Sequence, residues 1–227
     1  MMYSIKHKAN TFKVIFLAIY FLILSSCANL DTNRIAPGYS DAYKALKEYF
    51  LSDEKFVSNQ LISQIPYASL KLKIGSGQQG LLILESKTKF KEYWVSADNV
   101  YLEIEQGRIV ASKGLENNLR ENINQINFKE LLRANKFESI VYSSFDFPRL
   151  NNLKLKSNIK VIGKQSINLF SGTKELILIE EELINDYLGW SVLNKYWVDD
   201  SGYCWKSEQN ISPLLPTFYL EVAKKPA

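Results

Sequence analysis

Gly75, Gly77 and Gly80 form a G-x-G-x-x-G pattern, the spacing of a turn that binds the pyrophosphate of a dinucleotide. That chemistry needs a strand before the glycines, a helix after them and an acidic residue roughly 20 positions further along. An alternating segment precedes the glycines and Asp98 lies at a suitable distance, but a short Leu-Leu-Ile-Leu run without a helix cap follows them. The glycines therefore predict the loop of a β-hairpin, where they supply permissive backbone angles.

Histidine and cysteine, which carry much of nucleophilic and zinc chemistry, are almost absent from the chain. The single histidine, His7, lies in the N-terminal leader described below, so a processed chain would contain none. This excludes Ser-His-Asp and Cys-His catalysis and histidine-ligated metal sites. With only Cys27 and Cys204 present, a cysteine-based zinc site is excluded and an internal disulfide is not expected. We interpret Cys204 as a packed thiol in a strand, with a reactive or intermolecular thiol as the alternative.

Paired carboxylates are the remaining route to catalysis, since a glycosidase requires only two of them across the scissile bond. Any chain with 24 acidic residues offers such pairs, so this signal is weak. The acidic run 180–182 is expected to be a solvated strand end. We therefore predict a protein that is not an enzyme and needs no cofactor or metal, and we keep a carboxylate-dependent glycosidase as an alternative. The candidate carboxylates are Asp98, Asp146, Asp199 and Glu208.

The N-terminus has the organisation of an export signal. Three lysines and no acidic residue occur in the first 13 positions, and an apolar run of 11 residues follows at 14–24. This run is shorter than the ~20 residues of a membrane-spanning helix and fits a signal peptide. The sequence Leu24-Ser-Ser-Cys27 resembles the bacterial lipoprotein box, which implies lipidation of Cys27 with fatty acyl chains such as palmitate, and cleavage before it. The following Ala28, in place of Asp, implies sorting to the outer membrane.

Removal of the signal peptide changes the charge of the chain. The whole sequence has a formal net charge of +4, and the leader holds three lysines and no acid, so the remaining 201 of the 227 residues carry +1. Such a charge gives no reason to expect binding to nucleic acid. We predict a signal peptide at 1–26, a lipidated tether at 27–39 and a single mainly-β lipoprotein domain at 40–227.

Residue periodicity favours a mainly-β fold with a few flanking helices. Residues 68–74 and 100–105 alternate between apolar and polar side chains, as half-buried strands do. Further strand-like segments and short polar turns continue to the C-terminus, which predicts an antiparallel meander. Apolar residues at helical spacing predict helices at 41–52 and at 115–136, the second with a break near Asn127.

The C-terminal hairpin has a turn at 199–202 between two aromatic strands. Alternation predicts that Tyr203, Trp205 and Ser207 share the buried face, with Trp197 as their cross-strand neighbour. The residues of the opposite face are Cys204, Lys206 and Glu208.

A series of short phrases follows the lipoprotein box in a fixed order across residues 40–226. They are Ile65-Pro-Tyr-Ala-Ser-Leu70, Ile74-Gly-Ser-Gly77, Trp94-Val-Ser-Ala-Asp98, Gly107-Arg-Ile-Val110, Gly114-Leu115, Tyr196-Trp-Val-Asp199, Gly202, Trp205-Lys-Ser207, Gln209 and Ile211-Ser-Pro213. Together they resemble the group 4 capsule polysaccharide lipoprotein family (GfcB/YjbF), although Lys206 stands where arginine is more often expected. The resemblance implies an outer-membrane lipoprotein that faces the periplasm and assists production or export of capsular or extracellular polysaccharide. It also implies a mostly antiparallel β fold with barrel-like curvature, and it carries over no catalytic residue.

The leading functional hypothesis is a non-enzymatic accessory lipoprotein that binds glycan or partner proteins of an export system. Sugar rings stack on aromatic side chains, so Trp94, Trp197 and Trp205 are candidate contacts, with burial in the core as the alternative for each. A lipid or lipoprotein carrier is the further alternative, and it would require apolar residues around an open cavity.

Arg108 is the fourth candidate contact for a glycan or partner. It could bind an acidic sugar, or it could pair with Glu103 or Glu105 across a hairpin. The expected partners of the protein are a membrane, reached through the N-terminal lipid, and the polysaccharide or proteins of its export system.

Overall fold

Alternating apolar and polar residues form a sheet of antiparallel strands, flanked by two short helices, in the part of the chain that the structure describes. The structure is a computed structural model, and it describes residues 59–123 and 127–226. The helices are α1 (Asn59–Gln64) and α2 (Phe128–Ala134). The strands are β1 (Ser69–Ile74), β2 (Gln79–Lys87), β3 (Lys91–Ser96), β4 (Tyr101–Glu105), β5 (Arg108–Lys113), β6 (Leu119–Ile123), β7 (Lys136–Phe145), β8 (Leu150–Leu169), β9 (Gly172–Asn185), β10 (Trp190–Val198), β11 (Cys204–Gln209) and β12 (Phe218–Lys224).

All twelve described strands join one sheet in the order β5-β4-β3-β2-β1-β12-β11-β10-β9-β8-β7-β6. The sheet curls until its two edges meet, and the Leu119 backbone N of β6 donates to Ser112 Oγ of β5 at 2.9 Å. The result is a nearly closed, barrel-like sheet, which confirms the mainly-β antiparallel fold predicted from the sequence. Neither described helix is long and apolar enough to cross a bilayer.

The barrel interior is filled by the inward-facing residues of the strands. Leu70 pairs with Val222 and Leu72 pairs with Leu220 where β1 meets β12, and these side chains pack with the fully buried Trp94. Burial of such apolar surface, at about 25 cal/mol per Å², is the main force that holds the sheet closed. The lipid-carrier alternative requires apolar residues around an open cavity, and it stays a hypothesis.

The glycine loop is the turn of a hairpin, as predicted. It joins β1 to β2, which pair through Lys73 and Gln79. Gly75 has φ +55°, a conformation that favours glycine, and a Cβ there would lie 2.7 Å from the Pro216 side chain. Gly77 does not have a positive φ, although a Cβ there would meet the Ile74 carbonyl oxygen at 2.9 Å. Since β2 follows the loop where a dinucleotide turn requires a helix, the nucleotide reading is excluded.

The predicted helix at 115–136 is wrong over its first half. Leu119–Ile123 is strand β6, and of the described residues in this range Phe128–Ala134 alone are helical. The helix starts where a break was expected, because the Asn127 side chain accepts a hydrogen bond from Lys129 N at 2.9 Å and caps α2. Pairing of β6 with β7 fully buries the Leu119 side chain, and this tertiary contact outweighs the local helical spacing.

The β8–β9 hairpin is longer than its neighbours and folds over the outer face of the sheet. Its β9 strand begins at Gly172, whereas the pairing with β10 begins only at Ile177. At the hairpin tip, the Phe170 backbone N donates to the Glu221 carboxylate of β12. A small apolar cluster is buried beneath the hairpin and consists of Leu169, Leu176, Leu178 and Trp197.

Several predictions concern residues outside the described part of the chain. These are the signal peptide at 1–26, the tether at 27–39 with its lipidated Cys27, and the helix at 41–52. They stay predictions.

Candidate functional site

One end of the barrel carries a cleft of about 420 Å³, which we call the mouth cleft. Because neighbouring strands are antiparallel, the β2–β3, β4–β5 and β10–β11 turns all lie at this end. Apolar side chains of the barrel interior, including Leu70, Ile104 and Val222, form part of its lining. Its volume falls within the ~300–1,000 Å³ that is typical of ligand-binding clefts.

Helix α2 closes part of the same end of the barrel. The Phe128 ring packs on the Tyr196 ring inside, with centroids 5.0 Å apart. The start of the helix lies against the β10–β11 turn, since a Cβ at Gly202 would be 2.7 Å from the Lys129 backbone N. This close approach requires glycine at position 202, and it places Lys129 on the lining of the mouth cleft.

Tyr203 and Trp205 present aromatic rings to the mouth cleft. The rings meet edge to face, with centroids 5.3 Å apart and 79° between their planes, an arrangement that aromatic pairs prefer. Trp205 Nε1 donates to Asp199 Oδ2 at 2.9 Å, which ties the indole to the turn. Burial disfavours the charged carboxylate of Asp199, but hydrogen bonds from Ser201, Trp205 and Tyr203 outweigh this effect and hold its pKa below the ordinary value.

The predicted faces of the C-terminal hairpin hold for Ser207, which is buried, but they are wrong at residues 203–205 because of a β-bulge. Trp197 pairs with Lys206 and Val198 pairs with Cys204, so Trp205 is an extra residue without a partner on β10. Cys204 therefore points into the barrel with Val198, and Trp205 is only half-buried. The neighbour of Trp197 across the strands is Lys206, whose Nζ lies 5.1 Å from the centroid of the Trp197 ring.

Lysine side chains lie against the aromatic rings of the mouth cleft. Lys225 Nζ is 4.1 Å from the centroid of the Tyr203 ring and 5.5 Å from that of the Trp205 ring. Lys174, near the start of β9, places its Nζ 4.2 Å from the centroid of the Trp205 ring. Each such cation–π contact contributes about 0.5–1 kcal/mol at an exposed site. Aromatic surface and positive charge are therefore adjacent in this cleft.

Glu92 contributes a carboxylate to the same lining. Burial raises the pKa of Glu92, and this effect outweighs the opposing influence of Lys87, of the Trp94 indole N–H and of Lys225. The Lys87 ammonium lies 3.9 Å from Glu92 Oε1, and Trp94 Nε1 donates to Glu92 Oε2 at 3.2 Å. Glu92 is thus a weakened acid that is held in place by neighbouring groups.

A buried polar centre lies deeper in the barrel, around the ion pair of Arg108 and Glu181. Arg108 Nη1 is 3.2 Å from Glu181 Oε1, and the two side chains are only 7% and 2% exposed. Ser157 Oγ donates to Glu181 Oε1 at 2.7 Å, and the Tyr196 hydroxyl donates to Glu181 Oε2 at 2.9 Å. These contacts satisfy both carboxylate oxygens, as a buried charge requires.

The Arg108 guanidinium lies between two aromatic rings, 5.2 Å from the centroids of both Phe128 and Tyr196. Its Nε and Nη2 atoms have no hydrogen-bond partner among the described protein atoms. A cavity of about 20 Å³ adjoins the pair, which is enough space for one water molecule. The arrangement is suited to fixing the inside of the barrel, and it is too small and too enclosed to admit a sugar.

The four candidate contact residues lie in different environments, and three of them are buried. Trp94 is 1% exposed, so it is a core residue and does not contact a glycan. Trp197 is 7% exposed beneath the β8–β9 hairpin, where its Nε1 donates to Gln165 Oε1 at 3.2 Å. Arg108 is buried, and its partner is Glu181, neither of the two glutamates expected from the hairpin. Of the four residues, Trp205 lines the mouth cleft.

The candidate carboxylates of the glycosidase alternative are not gathered around one site. Asp98 follows β3 and Asp146 follows β7, which places both at the end of the barrel away from the mouth cleft. Asp146 accepts from Asn118 N and Nδ2, both at 2.7 Å. Asp199 holds the β10–β11 turn, and Glu208 lies 3.9 Å from the Lys195 ammonium. Each of these last three carboxylates has a structural partner.

Cys204 is the packed thiol that was expected. It is 9% exposed beside Phe128 and Val198, and burial raises the pKa of its thiol to about 12. A Cβ at Gly107, which has φ +82°, would come within 2.3 Å of Cys204 Cβ. The thiol is therefore enclosed and protonated, a state that is poorly nucleophilic.

Sequence reasoning missed several residues of both sites. The prediction that 180–182 is a solvated strand end is wrong for Glu181, which is 2% exposed. A signal was present, because Ile177, Ile179 and Leu183 alternate inward and place Glu181 on the same face. Lys225 had no such signal, since its position over Tyr203 depends on strands that are distant in sequence.

Comparison with known proteins shows to which family the chain belongs. Residues 26–222 match the model of the YjbF family, described as group 4 capsule polysaccharide lipoprotein GfcB, YjbF. The chain belongs to this family. It is 23% identical over 190 residues to the uncharacterized lipoprotein GfcB of Escherichia coli (strain K12), with 82% of this chain and 85% of that protein covered. It is 24% identical over 198 residues to the uncharacterized lipoprotein YjbF of the same strain, with 85% and 89% covered.

A solved structure supports the fold of this family member. The crystal structure of the hypothetical lipoprotein YmcC from Escherichia coli (K12) matches with a TM-score of 0.64 and 24% sequence identity. The match covers 82% of this chain and 95% of that one. The family resemblance predicted from the order of the short phrases is therefore confirmed, and the protein is a capsule-related lipoprotein of the cell envelope.

Proposed function

We propose that this protein is an accessory lipoprotein of the outer membrane that faces the periplasm and supports assembly or export of a capsular or extracellular polysaccharide. It acts by holding glycan, or a glycan-bearing partner, and it catalyses no reaction. Membership of the capsule lipoprotein family supports the polysaccharide role. The lipoprotein box at Cys27, followed by Ala28, supports the location.

The single observation that carries the glycan-holding role is the mouth cleft with its aromatic pair. Tyr203 and Trp205 are both half-buried, so part of each ring is accessible to a ligand. The C–H faces of a sugar are apolar and stack on such rings, while its hydroxyl edges need polar partners. The lining supplies these through Glu92, Ser207 and several lysines.

The anchor is tested by Cys27→Ala in the full-length protein. Without the thiol there is no site for diacylglyceryl transfer, so the variant should incorporate no labelled palmitate and should leave the membrane fraction. Labelled palmitate in the variant at the level of the unmodified protein would refute the assignment of Cys27 as the lipidated residue.

The glycan-holding role is tested in the native host by replacing the chromosomal gene with Tyr203→Leu and measuring surface polysaccharide. A matched control is Tyr187→Leu, because Tyr187 is 93% exposed in the β9–β10 turn at the other end of the barrel. We expect loss of polysaccharide with the first variant and none with the second, at equal amounts of folded protein in the membrane. Direct binding of the host polysaccharide to the purified lipoprotein in detergent should be lost in parallel. If the wild-type protein binds no host polysaccharide, the glycan-holding role is refuted.

The non-catalytic assignment has its own test. Host polysaccharide incubated with the purified lipoprotein should keep its chain length and gain no reducing ends. The non-catalytic assignment is supported by the absence of histidine after the leader and by the separation of the candidate carboxylates. New reducing ends that disappear with Asp199→Asn would instead support a glycosidase.

A further inference from the structure

We infer that the mouth cleft takes a glycan segment that carries carboxylate groups, and that Lys89, Lys129 and Lys225 select it by charge. The inference rests on the proposed glycan-holding function and names the class of sugar involved. It depends on the balance of charges around the cleft and on the position of those charges relative to the aromatic rings.

The described lining of the mouth cleft contains more positive than negative side chains. Its carboxylates are Glu92 and Glu221, and both are already engaged. Glu92 lies 3.9 Å from the Lys87 ammonium, and Glu221 accepts a hydrogen bond from the Phe170 backbone N. Two carboxylates cannot neutralise five lysines, so the lining keeps a net positive charge. The lysines of the lining are Lys87, Lys89, Lys129, Lys206 and Lys225.

Four of these five lysines have no ion-pair partner within the described part of the chain. One of the four, Lys206, is half-buried against the Trp197 ring, which leaves three at the cleft. Lys89 comes from the β2–β3 turn, Lys129 from the first turn of α2 and Lys225 from the residue after β12. All three side chains are exposed. They approach the cleft from three different elements, so their fields add within it. Clefts with charge of one sign and low-dielectric walls concentrate ligands of the opposite sign.

Lys225 links this charge to the sugar-stacking surface. Its Nζ is 4.1 Å from the centroid of the Tyr203 ring, so a carboxylate bound to it would lie beside that ring. In a uronic acid the carboxylate is attached to the pyranose ring itself. One residue of such a sugar can therefore stack on the aromatic pair and pair with Lys225 at the same time. A neutral sugar could use only the stacking contact.

The experiment measures binding of fluorescent oligogalacturonate to the full-length lipoprotein in detergent, by polarisation at low and moderate salt. The matched probe is the same oligomer with its carboxyl groups methyl-esterified, which keeps the rings and removes the charge. We expect the acid to bind at least about tenfold more tightly than the ester, with an affinity that falls as salt rises. Lys89→Gln, Lys129→Gln and Lys225→Gln, combined, should abolish this preference.

A control variant removes the same number of charges from the other end of the barrel, through Lys73→Gln, Lys113→Gln and Lys154→Gln combined. These lysines are exposed, they do not line the cleft, and they should leave binding unchanged. An equal loss with the control variant would overturn the assignment to the mouth cleft. Polyglutamate that binds as tightly as oligogalacturonate would show a general polyanion site without sugar recognition, which also overturns the inference.

Failure of the inference can be told apart from failure of the proposed function. If the ester and the acid bind equally, the protein holds glycan but does not select charge. If host polysaccharide also fails to bind the wild-type protein, the glycan-holding function itself is wrong. Both triple variants should keep the melting temperature of the wild type, because single exposed charges contribute little to stability.

Discussion

Replacing Glu181 with glutamine should leave the Arg108 guanidinium charged and without its carboxylate inside the barrel. The side chain keeps its size, and its single amide oxygen can still accept the hydrogen bond of Ser157 or that of Tyr196. The main change is therefore the loss of the negative charge, together with one of these two bonds. Two of the three guanidinium nitrogens, Nε and Nη2, already lack a partner among the described protein atoms. The protein therefore has little means of compensating for the lost carboxylate.

The expected destabilisation follows from the burial of the pair. With side chains 7% and 2% exposed, Arg108 and Glu181 fall among the buried ion pairs, for which removing one partner costs about 3–5 kcal/mol. Because glutamine retains some hydrogen bonds, we expect about 3 kcal/mol. For a chain of this size each kcal/mol lowers the melting temperature by about 2–4 °C, which gives a decrease of about 6–12 °C.

The measurement is thermal and urea-induced unfolding, with Asp186→Asn as the control. Asp186 pairs with Lys156 at the surface, where the two side chains are 67% and 57% exposed, so that variant should lose less than about 1 kcal/mol. A double variant, Arg108→Met with Glu181→Met, should be more stable than Glu181→Gln, since it leaves no unpaired buried charge. The reasoning fails if Glu181→Gln unfolds within 1 kcal/mol of wild type, or if the double variant is the less stable of the two.

Three further outcomes can be measured by unfolding of the same protein. Trp94→Ala should cost about 3–5 kcal/mol because the side chain is 1% exposed, and Trp205→Ala should cost less because that ring is half-buried; an equal cost would place Trp205 in the core. Gly107→Ala should destabilise more than Gly172→Ala, since both have positive φ but only a Cβ at position 107 would collide with Cys204; equal costs would show that the collision relaxes. Burial raises the pKa of Glu92, so the folded state favours the protonated carboxyl, and the stability that this protonated form contributes is lost as pH rises through the folded pKa. Glu92→Gln, which is neutral at every pH, should therefore be more stabilising at pH 7 than at pH 4. A stability difference between variant and wild type that does not change with pH would contradict the raised pKa.

Features that depend on neighbouring residues in the chain could be predicted from the sequence. The alternation in β1 and β4 reports which side chains face inward, and it needs no knowledge of the partner strand. The glycine loop at 75–78 was recognisable because the residues after it form strands. The family was recognisable from the order of short phrases across the chain, which is a property of the sequence alone.

Features that depend on pairing between distant segments required the tertiary structure. The bulge at Trp205 arises from the register between β10 and β11, and it buries Cys204 where strict alternation predicts Trp205. Strand β6 has apolar residues at helical spacing, yet pairing with β7 makes it a strand.

The two sites show the same division. The composition of the chain restricted the chemistry, because its one histidine, His7, lies in the predicted leader, and Ser-His-Asp or Cys-His catalysis needs a histidine after it. The ion pair in the barrel joins residues 73 positions apart, and Arg108 had nearer glutamates that could equally have been its partners. Closure of the sheet decided between them, because it brings β5 and β9 together in a space from which water is largely excluded, where an unpaired charge is too costly to persist. The same closure gathers Tyr203, Lys129 and Lys225 around one cleft, and no periodicity in the sequence encodes that distance.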